Sequence, residues 1–227
     1  MVKSLKVKKL LQIRAKAKEK MLNLLKKKPK KITQKKVNKV YKLCIVGLGN
    51  PGNKYNGTRH NVGKDWLIDI SQQYFKEFQN KPKYEAEFGE SHNAEILWIT
   101  PSNFVNESGR TISKILRSHN LDMNMFLIIH DDLDLEPGEL KIKEGGGHGG
   151  HNGLRDIIKS TGKSDFMRLR VGIGHPGMKN EVTNWVLNKF SPNEKKSIDN
   201  AYSKFVDVFE LIINNQLQKV QKILHTK

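Results

Sequence analysis

The sequence predicts one α/β domain built around a mixed β-sheet, with a basic extension at its N-terminus. Short apolar runs alternate with segments of helical periodicity from residue 42 onward. A length of 227 residues suits one such domain. The positive charge, in contrast, is concentrated at the start of the chain. We therefore divide the chain into an extension, residues 1–41, and a folded domain, residues 42–227.

The first half of the domain begins with an apolar, β-branched run that predicts a short buried strand. Aromatic and aliphatic side chains four residues apart then predict an amphipathic helix, and two runs flanking a His-Asn turn predict paired strands. A further helix begins near Asn106. In chain order these elements are a strand at 43–46, a helix at 62–79, strands at 84–92 and 94–100, and a helix at 106–120.

The second half opens with a buried strand that ends in two acids. An alternating segment follows, in which Lys141 and Lys143 share one face, and a later strand places Arg168 and Arg170 on one side by the same alternation. The run "EGGGHGGHNG" between them predicts a loop. In chain order the elements are strands at 125–132 and 138–145, a helix at 154–161, a strand at 166–174, and helices near 180–188 and 193–224.

The net charge of +18 belongs mostly to the extension. Residues 1–42 contain sixteen lysines, one arginine and one glutamate, a net charge of +16, which leaves +2 for the rest. Three interpretations stay open: a solvated extension, an organellar import sequence, or a tether that binds RNA or ribosomes through phosphate contacts. No apolar stretch is long enough to span a bilayer, so we expect no membrane association. The single cysteine, Cys44, lies in an apolar run and is predicted to be a buried thiol.

The segment "KLCIVGLGNPGNKYNGTRHNVG", residues 42–63, contains the spacing G-x-G-x-x-G, which in a strand–turn–helix context binds dinucleotides. That context requires a helix starting at the glycines, so that its N-terminus faces the pyrophosphate. Here Pro51 and a polar stretch intervene before any helical periodicity, and Asp69 lies within the predicted helix rather than at the end of a second strand. We therefore expect no dinucleotide cofactor.

Polar residues instead cluster at predicted strand ends and in loops, where functional sites usually lie. Individually each could be a helix cap, a turn residue or a packed imidazole. Together they suit hydrolysis, because an imidazole can take a proton from water, a carboxylate can orient the imidazole, and amides can bind an oxyanion. The residues are Asn50, His60, Asn106, Asp131, His151 and Asn152.

Metal chemistry is the main alternative. A metal site could draw on His130, Asp131, Asp132, Asp134, His148 and His151. Their spacing matches none of the common metal-binding signatures, so we expect no metal ligand among them.

Three segments, "IVGLGNPGNKYNGTRHNVG", "HDDLDLEPGELKIKEGGGHGGHNGLRDI" and "FMRLRVGIGHPG", resemble the bacterial-type peptidyl-tRNA hydrolases, in the same order along the chain. The resemblance runs from about Lys42 to the C-terminal helix. It implies a single α/β domain with a twisted mixed sheet, flanked by helices, that needs no metal or cofactor. It also implies cleavage of the ester between a peptide and the terminal ribose of tRNA, which recycles tRNA from abortive translation.

The resemblance also implies roles for individual residues. His60 would be the general base and Asp131 its partner. Asn50, Asn106 and Asn152 would orient the ester, the peptide backbone and the water. Contacts to the tRNA acceptor stem and 3′ end would come from Tyr55, Lys143, Arg170 and His151, with Lys141 and Arg168 added from strand alternation.

One segment departs from the family pattern. Val105 stands where the family commonly has a methionine, which changes the expected shape of the peptide channel. The alternative function is a catalytically silent RNA-binding or ribosome-associated factor on the same fold. The joint presence of His60, Asp131 and three asparagines favours the enzyme. We expect a soluble monomer. The basic extension favours the matrix of a mitochondrion or another organelle, and the cytoplasm is the alternative.

Overall fold

The computed structural model describes residues 41–93 and 95–225. The predicted extension therefore lies outside the described residues, apart from Tyr41, which is buried and donates its hydroxyl to Glu90 Oε1 at 2.9 Å. No helix within the described ranges is both long and apolar enough to cross a membrane.

The described residues form a mixed seven-stranded sheet. Its strands in chain order are β1 Leu43–Gly47, β2 Gln79–Lys81, β3 Ala86–Glu90, β4 Ile96–Pro101, β5 Phe126–Asp132, β6 Leu140–Glu144 and β7 Met167–Gly172. The order across the sheet is β2-β3-β4-β1-β5-β7-β6. The four central strands run parallel, whereas β2, β3 and β6 pair antiparallel. This arrangement confirms the predicted mixed sheet.

Helices cover both faces of the sheet, because β1 directs alternate side chains to opposite sides. The helices are α1 Val62–Ser71, α2 Ser108–His119, α3 Asn152–Thr161, α4 Val182–Leu187, α5 Pro192–Ile213 and α6 Leu217–His225. Leu43 and Ile45 join the core under α1, α5 and α6, and Cys44 and Val46 join the core under α2 and α3. The domain is therefore a three-layer α/β structure, and Cys44 is buried as predicted.

Two predicted helices differ from those observed. The helix expected over residues 62–79 ends at Ser71, whose carbonyl accepts the backbone N–H of Tyr74 at 2.9 Å as the chain turns. The turn lets Phe75 pack directly on Gly89, in a space that a Cβ would fill. The helix expected over 193–224 is divided into α5 and α6 at Asn215, whose φ of 55° is left-handed. In both places tertiary packing or a local turn interrupts a periodic sequence.

The carboxyl ends of β4, β1 and β5 lie side by side at one edge of the sheet. After β1 the chain passes through two short 3₁₀ turns, Asn53–Tyr55 and Arg59–Asn61, before α1 begins. The first turn of α1 approaches the sheet so closely that a Cβ on Gly63 would lie 2.2 Å from the carbonyl oxygen of Ile129. This packing brings the turn that precedes α1 over the end of β5.

Candidate active site

A cleft of about 300 Å³ opens at this edge of the sheet. It is lined by all six polar residues selected from the sequence: Asn50, His60, Asn106, Asp131, His151 and Asn152. Tyr55, on the first 3₁₀ turn, also lines it. The structure thus brings together residues that are separated by as many as one hundred positions in the sequence.

The centre of the cleft is an ion pair between His60 and Asp131. His60 lies in the second 3₁₀ turn and Asp131 near the end of β5. His60 Nδ1 is 2.9 Å from both carboxylate oxygens, and the two side chains are 13% and 3% exposed. Because Nδ1 faces the carboxylate, it carries the hydrogen, and the lone pair of Nε2 is left for a ligand.

The electrostatics of this pair favour a charged imidazole. Burial by itself lowers the pKa of His60, but the charge of Asp131 and its hydrogen bond offset that effect, and the net pKa is raised. Burial likewise opposes ionisation of Asp131, yet the neighbouring His60 and His151 hold its pKa well below the usual carboxyl value. Asp131 therefore stays ionised at neutral pH and stabilises the imidazolium that forms when His60 takes a proton.

His151 contacts the same carboxylate from the opposite side. Its Nε2 donates to Asp131 Oδ1 at 3.0 Å, and its Nδ1 accepts the backbone N–H of Leu154 at 3.2 Å, which caps α3. These two bonds fix the tautomer with the hydrogen on Nε2. The sequence prediction placed His151 on the tRNA, but its side chain is directed at Asp131 and the helix start. The geometry supports a positioning role.

Asn50 is held by its neighbours at both ends. Its backbone N–H and carbonyl bond to the side chain of Asn61 at 2.8 and 3.0 Å, and its Oδ1 accepts the backbone N–H of Val105 at 3.0 Å. Because an N–H can only donate, the bond to Val105 fixes which amide atom is oxygen. The Nδ2 group is then the atom available to a ligand in the cleft.

The rim of the cleft combines exposed amides with apolar side chains. Asn106 lies in the 3₁₀ turn Val105–Glu107, Asn152 begins α3, and both are exposed. Phe104 is also exposed and stacks edge-on against Tyr55, with ring centroids 6.2 Å apart. A second group of apolar rim residues comes mainly from α4: Leu133, Val182, Val186 and Leu187.

Val105, the departure from the family pattern, is 2% exposed. A Cβ on Gly153 would lie 2.6 Å from its Cγ1, so its side chain packs closely beneath the start of α3. The observed role of Val105 is to support Asn50 and α3, with little of its surface open to the cleft.

The predicted basic residues lie on β6 and β7, next to the cleft. Register pairs Lys141 with Arg170 and Lys143 with Arg168, so like charges face each other across the two strands. Arg170 Nε donates to Asp132 Oδ2 at 2.6 Å. Burial, and then the charges of Arg170 and Arg168, lower the pKa of Lys143. Two of these charges are paired within the protein, Arg170 with Asp132 and Lys141 with Glu139 at 3.1 Å.

Arg168 is the exception among these residues, because its side chain is 1% exposed. Its guanidinium donates to the carbonyls of Gly146 and Gly147 in the glycine-rich loop and stacks on Phe166 at 4.5 Å. The predicted phosphate contact does not fit this buried position. The structure indicates that Arg168 holds the loop that leads to His151.

Comparison with known proteins decides the family. Residues 44–227 match the family model described as peptidyl-tRNA hydrolase. The chain is 42% identical over 186 residues to the peptidyl-tRNA hydrolase of Francisella tularensis subsp. novicida, and the match covers 81% of this chain and 97% of that protein. The enzyme of Ruthia magnifica is 43% identical over the same length. The crystal structure of Acinetobacter baumannii peptidyl-tRNA hydrolase superposes with a TM-score of 0.75 at 35% identity, covering 82% of this chain and 95% of that one.

The chain belongs to the peptidyl-tRNA hydrolase family. This membership confirms the resemblance seen in the three sequence segments, together with the fold and the hydrolysis of peptidyl-tRNA that it implied.

Within the described part of the chain, the candidate metal group is His60, Asp131 and His151, whose possible ligand atoms lie within 4.8 Å of one another. In the structure, both histidine nitrogens already face the carboxylate at hydrogen-bond distances of 2.9 and 3.0 Å. An ion between them would have to displace both protons and both bonds. The alternative set is weaker, because His130 is buried and bonds through Nδ1 to the Asp131 carbonyl. Metal independence stays a prediction, tested below with a chelator.

Sequence reasoning missed three contributors to the site. Asn61 orients Asn50, Arg59 precedes the proposed base, and α4 supplies an apolar wall. The only usable indication in the sequence was that Arg59 and Asn61 flank His60. An arginine and an amide that are buried beside a candidate base both require hydrogen-bond partners. Those partners lie far along the chain and could not be identified from the sequence.

Proposed function

We propose that this chain hydrolyses the ester bond of peptidyl-tRNA with a water molecule activated by His60. The observation that carries the proposal is the buried His60–Asp131 pair, which leaves Nε2 of His60 without a hydrogen-bond partner among the residues that the structure describes. Family membership supplies the substrate class, and the geometry supplies a base of the kind that ester hydrolysis requires.

The reaction balances with these groups. His60 Nε2 takes a proton from water while the water oxygen attacks the ester carbonyl carbon, and Asp131 stabilises the resulting imidazolium. The carbonyl oxygen becomes an oxyanion, and Asn50 Nδ2 is the proposed hydrogen-bond donor to it. When the tetrahedral intermediate collapses, the bond to the ribose oxygen breaks and the imidazolium returns its proton to that oxygen. The products are a free peptide carboxylate and tRNA.

The acceptor stem and the 3′ end of the tRNA suit two different surfaces beside the cleft. Lys143 and Arg170 present positive charge beside the cleft, which suits acceptor-stem phosphate. Two aromatic rings at the rim, the exposed Phe104 and the half-buried Tyr55, suit the unpaired 3′ end, since base–aromatic stacking is the usual means of holding a single strand. Asn106 and Asn152 line the cleft, which supports their assignment to the peptide backbone and the water. These assignments are part of the proposal.

The test is release of tRNA from N-acylated aminoacyl-tRNA by the purified full-length chain. Turnover should be resistant to EDTA and should fall by about 10²- to 10⁴-fold in His60→Ala, the range for loss of a general base. His92→Ala, an exposed histidine in the turn after β3, is the matched control. No turnover by the wild-type chain would refute the hydrolase proposal and support a silent RNA-binding factor. Turnover that EDTA abolishes would refute metal independence.

The basic extension supports a separate proposal, that residues 1–41 bind RNA, including ribosomal RNA, through phosphate contacts. The family match begins at residue 44, so the extension lies outside it. Removing residues 1–40 should weaken RNA binding, and the loss of affinity should depend on the salt concentration. The turnover rate constant should stay unchanged. Binding that is unaffected at every salt concentration would refute the tether. Locating N-terminally and C-terminally tagged copies separately tests the import alternative, and sedimentation tests the expected monomer.

A further inference from the structure

Arg59, the residue before the proposed base, is buried to an extent unusual for an arginine. It is 4% exposed. Its Nη2 donates to both carboxylate oxygens of Glu194 at 3.0 and 2.8 Å. Its guanidinium also stacks on the indole of Trp185, with the central carbon 3.7 Å from the ring. A buried guanidinium that is paired, stacked and bonded in this way is held in one position.

The same side chain caps the C-terminal end of α4. Nη1 of Arg59 lies 3.3, 3.4 and 3.0 Å from the carbonyl oxygens of Trp185, Asn188 and Lys189. The backbone N–H of Arg59 donates to the Asn188 carbonyl as well, at 3.0 Å. The Trp185 carbonyl belongs to the last turn of α4 and also accepts the Asn188 backbone N–H at 3.2 Å, and the other two carbonyls lie just beyond the helix. One arginine side chain therefore provides hydrogen bonds to backbone carbonyls at the end of α4 and in the segment that follows it.

This helix is the apolar wall of the cleft. Val182, Val186 and Leu187 face the space in front of His60. On its other side, Trp185 Nε1 donates to the Gly174 carbonyl at 2.9 Å, which anchors α4 beyond the end of β7. Within the described residues, the side-chain hydrogen bonds that join α4 directly to the turn carrying His60 come from Arg59.

We propose that Arg59 is a positioning residue that fixes the distance between His60 and the α4 wall, and so aligns the bound ester with the base. The inference rests on the proposed hydrolase function. Arg59 is not among the residues that line the cleft. It acts through two connections. One is the peptide bond to His60, and the other is the set of hydrogen bonds from its guanidinium to the carbonyls at the end of α4, which we call the fork.

The proposal predicts a kinetic signature that differs from loss of the base. When the fork is lost, the bond from the Arg59 backbone N–H to the Asn188 carbonyl remains, but α4 is held less precisely relative to His60. Substrate then binds less well and the ester is misplaced. KM should rise and kcat should fall, with kcat/KM lower by about 10- to 100-fold, the range for small misplacement of reacting groups. The bond between His60 and Asp131 is untouched, so the pH midpoint of kcat/KM should stay at the wild-type value.

The test compares four variants of the full chain. Arg59→Lys keeps the charge but replaces a planar fork with a single ammonium, which cannot bond Glu194 and three carbonyls together. Glu194→Gln leaves the fork on α4 but removes its charged anchor. Arg110→Lys makes the same chemical change at an exposed arginine paired with Glu85, and is the matched control. Ser191→Ala removes the capping box at the start of α5 and leaves the Arg59 fork intact.

We expect Arg59→Lys to show the full KM and kcat change, Glu194→Gln a smaller change in the same direction, and Arg110→Lys none. Ser191→Ala should lower the melting temperature with unchanged kinetic constants. If Ser191→Ala reproduces the kinetic loss of Arg59→Lys, or if Arg59→Lys moves the pH midpoint or retains wild-type kcat and KM, the positioning role is wrong. If the wild-type chain itself shows no turnover, the hydrolase proposal fails instead, and the two failures are distinguishable.

Discussion

Replacing Asp131 with asparagine tests the centre of the proposed mechanism with the smallest change in shape. The carboxylate accepts hydrogen bonds from His60 at both oxygens and from His151 at one. An asparagine offers only one oxygen and adds an N–H donor. With its oxygen in the position shared by both histidines, the amide nitrogen would lie about 2.9 Å from His60 Nδ1, two donors facing each other.

The conflict is relieved when His60 moves its hydrogen from Nδ1 to Nε2. Nδ1 then accepts from the amide, but the lone pair of Nε2, which the mechanism uses as base, is occupied by the hydrogen. The charge that stabilises the imidazolium is lost at the same time. We expect kcat/KM to fall by about 10²- to 10⁴-fold, the contribution of a positioned general base, which corresponds to about 3–5 kcal/mol of transition-state stabilisation.

The pH profile gives the second readout. Asp131 is the reason that the pKa of His60 is raised, so wild-type kcat/KM should increase with pH and level off above that raised value. In Asp131→Asn the remaining effect on His60 is burial, which lowers its pKa, so the midpoint should move to lower pH. Asp207→Asn, on the exposed face of α5, is the control. A wild-type rate, or an unmoved midpoint together with a reduced rate, would refute the role assigned to the pair.

Three further outcomes follow from the same geometry. Asn50→Ala should reduce kcat by about 10²- to 10³-fold through loss of an oxyanion donor, and should lower the urea midpoint because the Val105 N–H loses its acceptor at a cost of about 1–3 kcal/mol. Arg170→Gln should raise KM and reduce the salt dependence of log KM by about one unit of slope, with kcat little changed. His130 is fully buried, and burial, then His151, lowers its pKa to about 3. Its neutral form stabilises the fold above pH 6.5, and this contribution is lost as pH falls toward 3, by roughly 5 kcal/mol in total. His130→Asn should therefore flatten the pH dependence of urea unfolding in that interval.

The sequence allowed the strand ends to be located because β-branched apolar runs identify buried parallel strands directly. The apolar run that forms β5 ends in acids, and the run that forms β1 is followed by Asn50. The residues at the carboxyl ends of these two strands were therefore correctly expected to meet. The family resemblance then supplied roles for them. The comparisons confirm the family and the fold, and the individual roles stay predictions for the variants above.

The remaining features depend on contacts between distant segments. Strand alternation placed Arg168 and Arg170 on one side of β7, which is correct, but it could not show that a loop covers one and not the other. The fork of Arg59 reaches residues more than 120 positions later. His151 was recognised as a site residue, yet its bond to Asp131 depends on how the glycine-rich loop folds back. Local sequence gives the candidates, and only the tertiary structure gives their partners.

The position of the site explains why a dinucleotide-like glycine pattern occurs beside a hydrolytic pair. In parallel sheets, ligands bind where neighbouring strands send their connections in opposite directions, and β1 occupies that point here, between β4 and β5. In dinucleotide enzymes the helix begins at the glycines and offers its N-terminus to pyrophosphate. In this chain α1 begins only at Val62, and two 3₁₀ turns fill the interval. These turns carry Tyr55 and His60 into the crevice, so the same sheet edge presents an imidazole and amides where a phosphate cradle would otherwise lie.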